Sequence, residues 1–362
     1  MNNDSKKDLY LALSKGDNFG WGVCSNYLNK EVPKFYPQTK YWDFEKDTSD
    51  NFIKVDGKVF HALTSINFSP LARIWGDKNY GYTFFENELN INSVNNAERY
   101  EKIIGGSTWN LEKLREIGIE NSDVLIQGID PNIFYPIEEE RNDELFVIFS
   151  GGKFELRKGQ DLVLRAIKTL QQKYPNIVLV NAWNNMWPES MELFHYAPTF
   201  NYEKKGNSWQ EIMAHIYSIN EIPSDKIITL DIVENKKLRA LYAKTDLGVF
   251  PNRCEGGTNL VMMEYMACAK PVVAAYNTGQ KDVLDENHAL LVKEHKPFKL
   301  YDNDQSLWAD WYDPDLDDII AQIEYAYNHR DEAKKLGRKA GEFMKNYTWE
   351  NTAKHLVEII SD

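Results

Sequence analysis

Apolar and polar positions follow two rhythms along the chain. Short apolar runs fall at 9–13, 59–63, 80–85, 103–106 and 123–126, and then at 145–150, 177–182, 227–230, 247–250, 272–276 and 289–292. Between them, apolar residues recur every three or four positions, as over 159–174, 235–244 and 316–328. Brief buried runs alternating with amphipathic helices predict parallel strands joined by helices, an α/β fold. The acidic run at 138–144 separates the two series and reads as a linker. This predicts a first domain over 1–140 and a second over 141–345. Residues 184–226 are too long for a bare connection and carry a helix near 208–220. Near the end, Thr348 with Asn351 three positions on marks the start of a last helix within 346–362.

Composition narrows the function. A chain of 362 residues suits two domains, and a net charge of −13 makes nucleic acid an unfavourable partner. No apolar run nears the ~18–20 residues that a membrane span needs. The first residues have no apolar core of the signal-peptide kind. Peripheral membrane contact through a local basic patch stays open. Cys24, Cys254 and Cys268 are odd in number and lack metal-ligand spacing, which points to reduced thiols in a cytoplasmic protein. The aromatic content is 13%; Trp and Tyr offer flat apolar faces with a polar edge, and most of these residues are expected in the core.

The most telling stretch follows the apolar run at 247–250. It reads Arg253, Cys254, Glu255, Gly256, Gly257, Thr258, Asn259, Leu260, and then an apolar helix that carries Glu264. A strand, a glycine turn and a helix start together make an anion site, because the first helical N–H groups lack backbone partners. Glu264 lies about 7–8 Å along the helix axis from a cap at Thr258 or Asn259, at ~1.5 Å per residue. A carboxylate there could accept protons from both ribose hydroxyls of a nucleoside diphosphate. A second strand–glycine–helix junction reads Gly151, Gly152, Lys153, Phe154, Glu155, Leu156, Arg157, Lys158, Gly159. Fixed cations at such a turn stabilise charge that grows on a leaving diphosphate.

These two blocks resemble the signature of retaining glycosyltransferases of family 4, or group 1, which have the GT-B fold: two Rossmann-like domains facing a central cleft. Here Glu255 and Glu264 are separated by eight residues, where the family usually has seven. The resemblance implies a transferase that moves a sugar from a nucleotide-diphosphate sugar to a hydroxyl acceptor, with anomeric retention. It implies that Lys153 and Lys158 hold the diphosphate, helped by the backbone of Gly256, Gly257, Thr258, Asn259 and Leu260. Glu264 would bind the ribose and Glu255 the donor sugar. The family's Gly-rich loop matches residues 15–23, with Gly20 and Gly22 close to the donor. Neither metal nor cofactor is implied, the nucleotide sugar being a substrate. The final helix is implied to cross back onto the first domain. Ser107, Asn110 and the 128–136 segment match family landmarks and are expected to be structural.

On the acceptor side, many relatives carry a His at a strand end. The comparable segment here offers Glu86, and His61 is the other candidate. A carboxylate there could take the acceptor proton or stabilise oxocarbenium-like charge. The Asp pairs at 302/304, 313/315 and 315/317 read as turn and cap residues rather than metal ligands. A sugar-nucleotide epimerase of the same fold and a non-catalytic nucleotide-sugar or glycan-binding module are the competing readings. Donor base, sugar, acceptor, linkage and oligomeric state stay open.

Overall fold

The computed structural model describes residues 7–14, 16, 20–42, 51–138 and 144–361. Lys15 and residues 17–19 of the Gly-rich stretch, and 139–143 of the acidic run, lie outside the described residues. The chain forms two compact units. One comprises 1–128, 256–258 and 346–362; the other comprises 129–255 and 259–345. The division thus falls at Gly128/Ile129, ahead of the acidic run.

The first unit contains β1 (Leu9–Ala12), α1 (Gly20–Glu31), β2 (Thr39–Tyr41), β3 (Ile53–Lys54), β4 (Lys58–Ala62), β5 (Ile74–Trp75), β6 (Lys78–Thr83), α2 (Ile91–Ala97), β7 (Lys102–Gly105), α3 (Thr108–Glu116) and β8 (Ser122–Val124). Its main sheet runs β2-β1-β4-β6-β7-β8, and every pair is parallel. The strands are buried almost throughout, as apolar runs in a parallel sheet must be. Ser107 caps α3 by accepting from the Asn110 N–H at 3.2 Å, so this landmark is structural. Gly20 and Gly22 lie in the first turn of α1 rather than in a loop. A Cβ at Gly22 would meet the Gly16 carbonyl oxygen at 1.8 Å, so only glycine permits that backbone approach.

The second unit continues with β9 (Phe146–Gly151), α4 (Gln160–Lys173), β10 (Ile177–Ala182), α5 (Trp209–Ile219), β11 (Ile227–Thr229), α6 (Leu238–Tyr242), β12 (Leu247–Phe250), α7 (Leu260–Ala267), β13 (Val272–Ala275), β14 (Leu290–Val292), β15 (His295–Tyr301), β16 (Leu307–Pro314), α8 (Leu316–Asn328) and α9 (Arg330–Met344). Its parallel sheet has the order β11-β10-β9-β12-β13-β14, with the strand order reversing next to β9. In such sheets ligands bind outside the carboxyl ends of the strands, at that reversal. The loops after β9 and β12 leave from there. The chain closes with α10 (Trp349–Ser361), which belongs to the first unit and is capped by the Thr348 hydroxyl, 3.2 Å from the Asn351 N–H.

The short strands β2, β3 and β5 were not among the apolar runs read from the sequence, and two regions of the second unit also differ from that reading. The helix expected over 235–244 is a 3-10 turn, Asn235–Lys237, followed by the short α6. The segment read as polar turns before α8 is an antiparallel hairpin, β15–β16. Its inward positions Ala309 and Trp311 are buried and two apart, a strand rhythm that the surrounding acids obscure.

Candidate functional site in the second unit

The turn after β9 carries three cations. Gly152, at φ 108°, and Gly159, at φ 70°, shape it. A Cβ at Gly159 would meet the Pro251 carbonyl oxygen at 2.1 Å, so this turn lies directly on the chain leading out of β12. Lys158 forms an ion pair with one Glu255 oxygen, and Arg157 reaches the other at 3.2 Å. Arg157 also pairs with Glu155 at 3.1 Å, and Lys153 pairs with Glu155 at 2.9 Å while standing 4.9 Å over the Trp187 ring. Three cations and two carboxylates therefore interlock. Lys153, Lys158 and Glu255 are together, as the two sequence blocks suggested. Arg157 joins them.

Glu255 is further fixed by neighbours that the sequence did not disclose. Its N–H donates to the Thr278 hydroxyl at 2.9 Å, and the Asn252 amide donates to its carboxylate. The Asn277 amide donates to the Asn252 carbonyl at 3.0 Å. Thr278 holds φ 41°, a costly conformation for a β-branched residue, and such strain gathers at functional sites. The signal for these partners was position: residues 277–279 directly follow β13, at the carboxyl edge of the sheet.

Electrostatics follow from the pairing. Burial works to raise the Glu255 pKa, but Lys158 and Arg157 outweigh it and hold the carboxyl below its usual value. Glu155 is held at about 2 in the same way: Arg157 and Lys153 overcome its burial. Burial lowers the pKa of Lys158, and the Glu255 charge draws it back up.

Glu264 is different. It lies in α7, whose cap is Asn259 at φ 65°, with its side-chain oxygen 3.4 Å from the Met262 N–H. The Asn235 amide donates to Glu264 at 2.7 Å. Burial, only partly offset by the Asn235 hydrogen bond, pushes the Glu264 pKa up to about 8. A carboxyl so placed gains from any hydroxyl that donates to it.

The remaining candidates lie in the first unit. Glu86 is half-buried and accepts the Gly256 N–H at 3.3 Å. The Ser107 hydroxyl donates to the Gly256 carbonyl at 2.9 Å, and a Cβ at Gly256 would meet the Phe85 carbonyl oxygen at 2.6 Å. Gly257 approaches the Phe84 ring and the Gln127 side chain. The Gly256 amide therefore already has a partner. His61 is fully buried in β4, 3.0 Å from the Asn79 amide oxygen and flanked by the rings of Trp75 and Tyr100. Burial lowers its pKa to about 4, so the ring is a neutral core group. A strand-end position in the sequence does not reveal this sealing, which comes from aromatics distant in the chain.

The Asp pairs have visible structural partners. Asp304 accepts from Ser306 within the hairpin turn, Asp315 caps α8, and Asp313 pairs with Arg253. Cys254 is buried, as are Cys24 and Cys268, whose thiols burial pushes up to about 12. Among the described residues, no helix is long and apolar enough to cross a membrane.

The family model for glycosyl transferases group 1 matches residues 134–343, more than half of the chain and nearly the whole second unit. The chain belongs to that family. A glycosyltransferase of Methanocaldococcus jannaschii, itself uncharacterized, is 26% identical over 251 residues, covering 69% of this chain and 56% of the relative. A probable sucrose-phosphate synthase of Thermosipho melanesiensis is 24% identical over 369 residues, covering 94% of this chain and 74% of the relative. The matched region spans little more than half the length of most of these curated relatives. Among solved structures, sucrose-phosphate synthase from Thermosynechococcus elongatus superposes with a TM-score of 0.64 at 12% identity, over 98% of both chains. The Anabaena protein Alr3699/HepE, solved with UDP and glucose, gives 0.61 at 13% identity, over 98% of this chain and 99% of its own. These likenesses define the fold: GT-B, with two Rossmann-like domains.

Proposed function

We propose that this chain is a glycosyltransferase that takes a sugar from a nucleotide-diphosphate donor and places it on a hydroxyl acceptor, a glycan, a lipid-linked glycan or a small molecule. The observation that carries this reading is a partly buried ionic cluster at the carboxyl edge of the parallel sheet, in which Arg157 and Lys158 pair with Glu255 while Arg157 and Lys153 pair with Glu155. Arg157 and Lys158, largely removed from water, would be costly if unpaired, and the carboxylates offset that cost. A diphosphate brings the matching charge. In the reaction the acceptor oxygen forms a bond to the anomeric carbon as the bond from that carbon to the diphosphate oxygen breaks. Lys158 and Arg157 meet the charge that collects on the departing oxygens, and such fixed charges lower the barrier. The acceptor proton passes to a leaving phosphate oxygen, and configuration is retained.

Glu255 has the further task of directing donor sugar hydroxyls, and Glu264 accepts the two ribose hydroxyls. The backbone of Asn259 and Leu260 at the start of α7 adds donors for phosphate. Glu86 is the acceptor-side carboxylate in this scheme, and His61, sealed in the core, has no part in it. No metal enters it. The test is a transfer assay with a panel of nucleotide sugars and hydroxyl acceptors, following release of the nucleoside diphosphate. At least one donor should be consumed, faster with an acceptor than without, and Lys158→Ala should abolish most of that turnover. Consumption of no donor by folded protein would refute the reading.

A further inference from the structure

We propose that Arg253 is a positioning residue of the diphosphate site, and that the β15–β16 hairpin is a working part of that site through Asp313. The inference rests on the reading of the cation turn given above. Arg253 stands two residues before Glu255 and is fully buried. Its two terminal nitrogens donate to both Asp161 oxygens, each at 2.7 Å. One of them also donates to the Leu156 carbonyl at 2.7 Å, and Nε donates to Asp313 at 2.7 Å. The Arg253 backbone N–H donates to the Arg157 carbonyl at 2.7 Å, and its carbonyl accepts the Tyr312 N–H at 3.1 Å. The guanidinium lies 5.1 Å from the centre of the Phe298 ring.

One side chain thus joins three segments. It holds the Leu156 carbonyl, and the Arg253 backbone N–H holds the Arg157 carbonyl next to it, so the turn from which Arg157 and Lys158 project is fixed at both residues. It holds Asp161 in the first turn of α4. It holds the hairpin through Asp313, with Phe298 beneath. Only a planar fork with five donors makes this set of bonds, so lysine is no substitute. A buried ion cluster is a poor means of adding stability, since well-packed apolar residues often do as well. It is a good means of fixing geometry, and what it fixes here is the spacing between the cations and Glu255. The hairpin closes the third side of the clamp, which gives this excursion between β14 and α8 a task in the site.

The experiment is a double-mutant cycle read by calorimetric titration with inorganic pyrophosphate and with nucleoside diphosphates, on the full chain. Thermal unfolding of each variant is recorded alongside. Asp313→Asn should weaken pyrophosphate binding about tenfold, the scale of one hydrogen bond to a charged group, while Asp313→Glu restores most of it. In the Lys158→Ala background the same Asp313→Asn change should lose most of its effect, because residues acting through one another are not additive. A merely structural role would cost the same in both backgrounds. Should Asp313→Asn not fold, Arg253→Lys reads the same coupling. Undiminished loss in the Lys158→Ala background, or wild-type binding by Asp313→Asn, overturns the clamp. If wild-type protein binds neither pyrophosphate nor any nucleoside diphosphate, the reading of the cation turn itself fails. If wild-type binds and only Lys158→Ala weakens it, the clamp alone is wrong.

Discussion

Glu255 and Glu264 are each 4% exposed and stand on one continuous segment, yet their charges are set in opposite ways. Glu255 faces Lys158 and Arg157 and stays ionised below the usual carboxylate range. Glu264 faces the Asn235 amide and is pushed to about 8. Burial is the same for both, so the partners decide. The lesson is that a buried carboxylate with cations is a fixed charge, held in register for something anionic to share those cations. One with only an amide is a latent acceptor, held protonated at neutral pH until a ligand's hydroxyls stabilise its ionised form. In the proposed reaction the first stands beside the diphosphate cations and directs the donor sugar, and the second takes the ribose of the same nucleotide sugar.

The comparison is broken most forcefully at the cations. Lys158→Ala should lower kcat by ~10²–10³, the usual scale for losing one preorganised charge, with the fold retained. Steady-state turnover with saturating donor checks this, and an unaltered kcat would mean that the diphosphate lies elsewhere. Glu264→Gln should weaken nucleoside diphosphate binding by ~1.5–3 kcal/mol, the worth of hydrogen bonds to a charged group. The loss should be equal for the free nucleoside diphosphate and the sugar donor, because only ribose is touched. Titration of both ligands reads it, and a loss confined to the sugar donor would move Glu264 to the sugar.

The pH dependence sharpens the contrast further. Glu264 must lose its proton to accept both hydroxyls, so wild-type affinity should rise by up to about tenfold per pH unit from pH 6.5 towards 8, and Glu264→Gln should be flat across that window by comparison. The same raised pKa makes Glu264 a cost to the fold. Between the ordinary value of 4.5 and about 8 the native state holds a proton that the unfolded state has lost. Stability therefore falls as pH rises through that window. Urea unfolding at pH 5 and pH 8 should show this fall shrinking in Glu264→Gln. The smallest expected effect is that of EDTA, which should leave turnover unchanged, since the proposed reaction gives Glu255 and Glu264 no metal to hold and both have side-chain partners. Loss of activity restored by a divalent cation would contradict that.

Much of this arrangement was legible before the structure. Strands β10 and β12 and helix α8 coincide with their apolar patterns, because buried parallel strands and amphipathic helices leave clear rhythms. That Lys153, Lys158 and Glu255 lie near one another was legible because both of their blocks are glycine turns leaving a strand, where anion sites form, and because the two blocks together resemble the family signature. What sequence could not show was partnership over long separations. Arg157 and Glu255 are 98 positions apart, and Arg253 and Asp313 are 60 apart. The burial of His61 was hidden for the same reason, since Trp75 and Tyr100 pack against it only in the folded protein. The β15–β16 hairpin was hidden by its own acids. Asp313 looked like a turn residue beside Pro314, and only its pairing with a buried arginine gives it a different meaning.

The most direct test of the account is calorimetric titration of the folded protein with a panel of nucleoside diphosphates, repeated with Lys158→Ala and Glu264→Gln. The account predicts that at least one nucleoside diphosphate binds the wild type and raises its melting temperature, as any ligand selective for the native state must. Both variants should bind it more weakly, and only Glu264→Gln should lose the dependence on pH that Glu264 imposes. Binding of equal strength in all three proteins, or no binding to a folded wild type, would contradict it.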